Sequence, residues 1–150
     1  MTAGDSTEVK IKTIATDTES NAPIVILVDA EERNYLPIYI GQFEAFAITT
    51  VLNSTEVSRP MTHDLMKSAM AAAGMRVERV TITALQGSTY MAEMTVSVHG
   101  RQIELDSRPS DAMAMAVRFS APIMVANDVL AKAALSTPET NNPGTGEANA

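Results

Sequence analysis

Two short segments of the chain each place a single carboxylate at the start of an apolar helical run. Glu44 stands within residues 41–47 (GQFEAFA), and Asp111 stands within residues 108–114 (RPSDAMA). A carboxylate at the start of a buried helix is costly unless another group compensates its charge. The helix N-terminus, an arginine, a metal ion or a substrate can be that group. The pattern therefore indicates either two capped helices or a charged site.

A third segment, residues 59–65 (RPMTHDL), sets an arginine, a histidine and an aspartate around another predicted helix start. Histidine titrates near neutral pH, so His63 is a candidate general acid or base, or a metal ligand. The other interpretation is purely structural: Thr62 caps the helix, Asp64 interacts with the helix dipole, and His63 is a surface residue. The local pattern leaves both interpretations open.

The segment before Asp111 also carries an arginine between two carboxylates. Arg108 lies between Asp106 and Asp111 in the sequence, which predicts a local ion pair. Its functional interpretation is a phosphate clamp, because guanidinium matches phosphate oxygens with two parallel hydrogen bonds. Ser110 is the predicted cap of the helix and could present an anion site there.

Composition narrows the classes of function. The 150 residues suit one domain, and the net charge of -7 argues against broad attraction to nucleic acid or to anionic membranes. There are no cysteines, which excludes disulfides and thiolate metal sites, and the common nucleotide-binding and zinc motifs are absent. Three tyrosines, three phenylalanines and no tryptophan predict a poor supply of base-stacking side chains.

No stretch approaches the roughly 20 apolar residues of a membrane span. Residues 1–6 lack the basic and apolar pattern of a signal peptide. We therefore expect a cytoplasmic protein that does not enter a membrane.

Apolar periodicity and turn residues predict an α+β fold with a mixed sheet, built from two β-β-β-α repeats, with helices packed mainly on one face. One further helix separates the repeats, and a short strand and a helix follow them. The helix of the first repeat is apolar on nearly all sides, which predicts its burial. The predicted strands are residues 9–15, 24–28, 35–40, 77–85, 90–98, 102–106 and 123–126, and the predicted helices are residues 43–52, 62–74, 110–119 and 127–135. The predicted organisation is a flexible N-terminus at residues 1–8, a domain at residues 9–135 and a disordered tail at residues 136–150.

Four segments in this order resemble the bifunctional nuclease family. They are residues 36–45 (LPIYIGQFEA), 59–66 (RPMTHDLM), 107–112 (SRPSDA) and 121–125 (APIMV). The resemblance covers residues 9–135. It implies a compact, oligomeric α+β domain of bacterial or plant type, and some members of that family cleave both DNA and RNA.

The resemblance also implies which residues carry the chemistry. The implied catalytic positions are Glu44, His63, Asp64, Arg108 and Asp111, because they lie in the shared segments. Phosphodiester hydrolysis requires neutralised phosphate charge and an activated water. We therefore expect His63 to act as general base or acid and Arg108 to clamp the phosphate.

A divalent metal, magnesium or manganese, could supply the charge and the activated water. The candidate metal ligands are Glu44, Asp64 and Asp111, which must then converge in space. The candidate substrate-binding residues are Arg59, Arg108 and Ser110. The substrate would be DNA or RNA, bound transiently.

Two other interpretations remain open. In one, the chain is a non-enzymatic module that binds a small anionic ligand or a protein partner, and its carboxylates are structural. In the other, the Arg-Pro segments pack across the interface of a homo-oligomer. Sensitivity to a chelator would separate catalysis from anion binding, and a change of mass in solution would identify a subunit contact.

Overall fold

The structure is a computed structural model, and it describes residues 5–136. In this range the strands are β1 (Ser6–Thr16), β2 (Pro23–Asp29), β3 (Asn34–Tyr39), β4 (Met75–Gln86), β5 (Thr89–Val98), β6 (Arg101–Ser107), β7 (Ile123–Ala126) and β8 (Leu135–Ser136). The helices of the same range are α1 (Gln42–Leu52), α2 (Thr62–Ala72), α3 (Pro109–Phe119) and α4 (Asn127–Ala133). None of these helices is long and apolar enough to cross a membrane.

The strands form one mixed sheet in the order β6-β5-β4-β7-β1-β2-β3-β8. The pairing of β4 with β7 is parallel, and the other pairings are antiparallel. The units β1-β2-β3-α1 and β4-β5-β6-α3 repeat the same order, with α2 between them and β7 between their first strands. The predicted α+β fold with two β-β-β-α repeats is therefore confirmed.

The core lies where α3 covers β4 and β5. On β5 the buried residues Ala92, Met94 and Val96 alternate with residues that point to the opposite face, as a strand requires. The middle of α3, residues 112–116, is fully enclosed, because this helix packs against α1 and α2 as well as the sheet. Helix α3 therefore fixes the positions of α1 and α2.

Strong curvature of the sheet brings the two repeats together. The third strands, β3 and β6, lie six strand spacings apart in the sheet, which is roughly 29 Å along a flat sheet. Yet Glu44, which follows β3, contacts Arg108, which follows β6. The sheet must curl until the starts of α1 and α3 meet at one place.

The chain termini differ in part from the predicted organisation. Residues 6–8, predicted to be flexible, belong to β1, where Ser6 and Thr7 pair with Ala126 and Val125. Ser136, predicted to begin the tail, pairs with Asn34. Both pairings join residues far apart in the sequence, so local composition gave no sign of them. Residues 1–4 and 137–150 lie outside the described residues.

Two predictions about the helices are wrong. The first helix is not buried on all sides, because Phe43 is 88% exposed and Phe46 is 49% exposed. The predicted caps are also shifted: Met61 rather than Thr62 is the N-cap of α2, and Arg108 rather than Ser110 is the N-cap of α3. The Asp64 carboxylate, which accepts the Met61 N–H, and Pro109 at the first position of α3 explain the two shifted caps.

Candidate functional site

Three of the segments singled out in the sequence meet around Arg108. Its Nη1 lies 3.2 Å from Glu44 Oε1, and its Nε donates a hydrogen bond to Asp111 Oδ2 at 2.8 Å. The other oxygen of Asp111 lies 2.9 Å from His63 Nε2. One cluster therefore joins α1, α2 and α3 through Glu44, His63, Arg108 and Asp111.

The start of α3 explains how Arg108 and Asp111 come together. Arg108 is the N-cap with extended backbone, and Pro109 supplies the fixed φ that suits the first helical position. Asp111 then lies one turn further on, where side chains three positions apart face the same way. Its position in the first turn also lets the helix dipole stabilise its negative charge.

Asp111 is ionised in this setting. Burial raises the pKa of its carboxyl, but the hydrogen bonds from Arg108 and His63 outweigh burial, and the pKa lies below its ordinary value of 3.8. An ionised carboxylate can only accept hydrogen bonds, so the proton between the two side chains belongs to His63 Nε2. When the imidazole is neutral, its Nδ1 then carries a free lone pair. The arrangement is a carboxylate-oriented histidine.

Arg108 keeps donors to spare. Its hydrogen bonds to Asp111 and Glu44 raise the pKa of the guanidinium, which therefore stays charged. A guanidinium has five N–H groups, and Arg108 uses one on each of its three nitrogens. Within residues 5–136 no partner takes the other two N–H groups, and the Arg108 side chain is 64% exposed. They can bind an incoming anion without breaking the cluster.

The cluster opens into a groove of about 560 Å³. Charged side chains of the cluster share its walls with apolar ones from α1 and α2, including Phe43, Phe46 and Met66. Asp106, at the end of β6, adds a further carboxylate. A groove of this size accommodates a nucleotide-sized ligand.

Asp64 does not join the cluster, although it follows His63 directly. Its Oδ2 accepts a hydrogen bond from the backbone N–H of Met61 at 2.9 Å, and its Oδ1 accepts one from Arg118 Nε at 2.8 Å. The Met61 bond is the main cause that lowers the pKa of Asp64, with Arg118 adding to it against the effect of burial. Asp64 thus fixes the start of α2 and, through it, the position of His63.

Arg118 is the important residue that the sequence interpretation missed. Its side chain is 3% exposed, and its Nη1 donates to the carbonyl oxygens of Ala47 at 2.7 Å and Ala114 at 3.0 Å. The available signal was an arginine in the otherwise apolar second half of the helix. Such a residue is almost never fully buried unless it is paired.

The two remaining predicted substrate-binding residues differ in their positions. Arg59 is exposed in the loop before α2 and does not line the groove. Ser110 is buried at the start of α3, where it lines a second cleft of about 430 Å³ together with Tyr39, Tyr90 and Arg108. Arg108 therefore stands in the wall between two clefts.

The predicted metal ligands are not gathered in one place. Within residues 5–136 there is no group of three His, Asp or Glu side chains that could hold a metal ion. Glu44 and Asp111 both face Arg108, while Asp64 faces Arg118. A hard cation such as Mg²⁺ favours several oxygen ligands around the ion. Here the Glu44 and Asp111 carboxylates contact the guanidinium of Arg108 instead. The three carboxylates in this arrangement do not fit such a site.

The fold and the cluster together define an α+β domain with a carboxylate-oriented histidine and an arginine in an open groove. A family model described as the bifunctional nuclease domain matches residues 25–138 of the chain. The chain belongs to this family, as the resemblance implied.

Individual relatives differ in how much of their length the chain covers. An uncharacterized protein of Mycobacterium tuberculosis is 38% identical over 135 residues, covering 90% of this chain and 80% of the relative. Bifunctional nuclease 2 of Oryza sativa subsp. japonica is 29% identical over 105 residues, covering 68% of this chain and 32% of the relative. Bifunctional nuclease 2 of Arabidopsis thaliana is 27% identical over 108 residues, covering 70% of this chain and 33% of the relative. The chain thus spans about a third of the plant relatives.

Proposed function

We propose that the protein is a nuclease that hydrolyses phosphodiester bonds of DNA or RNA in the groove at the start of α3. The observation that carries the proposal is the bond between His63 Nε2 and Asp111 Oδ1, because it leaves Nδ1 free to accept a proton. The names of the plant relatives support the same class of activity. His63, Asp111, Arg108 and Glu44 are the residues to which we assign it.

His63 is the general base in this proposal. A water takes its place beside Nδ1, its oxygen attacks phosphorus, and its proton passes to the imidazole. The bond from phosphorus to the leaving sugar oxygen breaks, that oxygen takes a proton from solvent water, and the imidazolium later returns its proton to the solvent. Asp111 keeps the ring oriented and stabilises the imidazolium that forms in between.

Arg108 binds the phosphate with its two free N–H groups and offsets the charge that develops on the phosphoryl oxygens. Glu44 holds the guanidinium from the α1 side, so Arg108 is oriented before the substrate arrives. Asp64 acts indirectly in this scheme, since it fixes the start of α2 rather than touching the groove cluster.

A divalent metal, magnesium or manganese, stays a prediction of the sequence. When bound, such an ion would supply positive charge at the phosphate, and the carboxylates that line the groove are Glu44, Asp106 and Asp111. No step above depends on it. A cytoplasmic location and a homo-oligomer likewise stay predictions.

A non-enzymatic anion-binding module is the second candidate. The two free N–H groups of Arg108 beside the start of α3 favour it, because they would hold a small anion without any general base. Binding of phosphate would then survive the loss of His63, whereas hydrolysis would not.

The experiment compares cleavage of single-stranded DNA and RNA by purified wild-type protein, His63→Gln and Asp111→Asn, each with magnesium, manganese or chelator. The chain offers matched controls: His99→Gln changes its only other histidine, in an exposed turn, and Asp128→Asn changes a first-turn aspartate of α4. We expect a loss of about 10²- to 10⁴-fold in His63→Gln, the range of general-base catalysis, and wild-type rates in both controls. Equal rates in all five proteins would reveal a contaminating nuclease and end the proposal.

A further inference from the structure

Two phenylalanines of α1 stand on either side of Glu44 and remain open to solvent. Phe43 is 88% exposed and Phe46 is 49% exposed, and both line the groove. The third phenylalanine of the chain, Phe119, is 9% exposed. Exposed large apolar groups that line a groove mark a site of interaction. Two of the three phenylalanines therefore stand at the groove, although the composition alone predicted a poor supply of stacking side chains.

We infer that the groove takes single-stranded nucleic acid, with bases stacked on Phe43 and Phe46 and a backbone phosphate on Arg108. This inference rests on the proposed function and specifies the form of the substrate. The Arg108 side chain lines the same groove and is 64% exposed, so a phosphate and its attached base can be bound together. Bases within a duplex are already stacked on their neighbours, and aromatic platforms serve unpaired bases.

The charge of the groove determines which interactions supply the affinity for a nucleic acid strand. Glu44, Asp106 and Asp111 line the groove together with Arg108, and the whole chain has a net charge of -7. A polyanion gains little here beyond the single phosphate that Arg108 contacts. Binding must then depend on stacking, with a salt slope of about -0.7 for one neutralised phosphate on a single strand.

The probe is a fluorescein-labelled oligothymidine of about 12 nucleotides, within the range of site sizes known for single-strand-binding grooves. Fluorescence anisotropy is measured with the full chain in chelator, and a denaturing gel afterwards checks that the probe is intact. An abasic strand of equal length keeps the phosphates and removes the bases, and a duplex of equal length hides the bases. We expect binding of oligothymidine and much weaker binding of both comparison probes.

The variants Phe43→Ala and Phe46→Ala test the platform, and we expect each to weaken oligothymidine binding by about 5- to 150-fold, the effect of removing one stacking side chain. Leu65→Ala is the matched control, because Leu65 is an apolar residue of α2 that is 64% exposed but does not line the groove. It should bind as the wild type does. Phe43→Trp introduces the only tryptophan of the chain, and its fluorescence should be quenched as oligothymidine binds.

Light scattering on the same proteins addresses the other possible occupant, a second copy of this chain. If Phe43→Ala and Leu65→Ala both lower the mass in solution and neither changes oligothymidine binding, the exposed face is a subunit contact and the inference is wrong. It is also wrong if the abasic strand or the duplex binds as tightly as oligothymidine. Failure of the proposed function is separate: His63→Gln would then cleave as fast as the wild type, whatever the binding results.

Discussion

The guanidinium of Arg118 in α3 holds the carboxylate of Asp64 in α2, with Nε donating to Oδ1 at 2.8 Å. The arginine side chain is 3% exposed, whereas that of the aspartate is 31% exposed. The pair therefore lies at the edge of the core, where the arginine is enclosed and the aspartate is partly in contact with water. Such a pair is hard to break from the arginine side, because its removal leaves the aspartate without its partner.

Arg118, which belongs to α3, forms hydrogen bonds with all three helices that carry the groove cluster, its own included. Its partners are Asp64 and the carbonyl oxygens of Ala47 and Ala114. Each partner lies within one helical turn of a cluster residue on the same helix: His63 in α2, Glu44 in α1 and Asp111 in α3. One buried side chain thus sets the spacing of the cluster without touching the groove.

Replacing Arg118 by methionine should destabilise the protein by about 2–3 kcal/mol. This is below the usual cost of breaking a fully buried pair, because Asp64 keeps some contact with water. Urea unfolding followed by circular dichroism measures the change. Arg76→Met is the matched control, since Arg76 pairs with Glu78 at 3.9 Å and is 62% exposed. Arg76→Met should lower the free energy of unfolding by less than about 1 kcal/mol. An equal decrease in Arg118→Met and Arg76→Met would contradict the role of Arg118.

Asp64 should make the stability depend on pH in the acid range. Its pKa is lowered in the folded protein, first by the Met61 N–H and then by Arg118, from an ordinary value of 3.8. A lowered folded pKa gives stabilisation that is fully present above the unfolded value and is lost as the pH falls through the folded one. The free-energy difference between wild type and Asp64→Asn should therefore be largest near neutral pH and shrink below about pH 4. A difference that stays constant down to acid unfolding would show that this carboxylate is not stabilised by its partners.

Gly41→Ala should disturb the cluster while leaving the fold almost unchanged. Gly41 is the N-cap of α1 with φ of -78°, which alanine adopts freely, but an added Cβ would meet the carboxylate end of Glu44. The flexible side chain can rotate away, so we expect loss of the bond to Arg108 at a cost below about 1 kcal/mol. Nuclease rate and urea unfolding, measured together, check this.

Gly87→Ala is the control for that substitution. Gly87 has φ of +62° and open space around it, so alanine there strains the turn and should cost about 1 kcal/mol without changing the rate. The two glycines should thus show opposite patterns of stability and activity. If Gly41→Ala behaves as Gly87→Ala does, the position of Glu44 does not matter to the site.

The order of the elements could be predicted because alternation and turn residues are local signals. Ala92, Met94 and Val96 alternate within one strand, and Gly74 has the positive φ of 73° expected just after a helix. The meeting of Glu44 with Arg108 could not be predicted in this way, since it depends on the curvature of the whole sheet. The sequence showed which residues are unusual, but their partners are set by long-range packing.

Burial was the least predictable property. Phe43 was predicted to be buried because its helix is apolar on nearly all sides, yet it lies on the groove. Arg118 was overlooked because an arginine in the last turn of a helix is commonly at the surface. In both cases hydrophobicity predicts which residues favour burial, and the positions of the neighbouring helices decide which residues are buried.

Glu44→Gln should tighten the binding of inorganic phosphate. Arg108 divides its donors between Glu44, Asp111 and any anion in the groove, and the Glu44 carboxylate lies 3.2 Å from its Nη1. The amide keeps the size of the side chain and removes its negative charge, so an anion meets less repulsion. For charges about 7 Å apart, this repulsion is worth roughly 3-fold in affinity at the dielectric constant of water and roughly 50-fold at the effective value near a protein surface. Titration of phosphate, followed by NMR of the groove residues, measures it, and Glu104→Gln on β6 is the control because Glu104 bonds to Thr95 instead. Weaker phosphate binding in Glu44→Gln would contradict this prediction. It would mean that Glu44 serves mainly to orient Arg108, and that losing this orientation lowers the phosphate affinity more than losing the repulsion raises it.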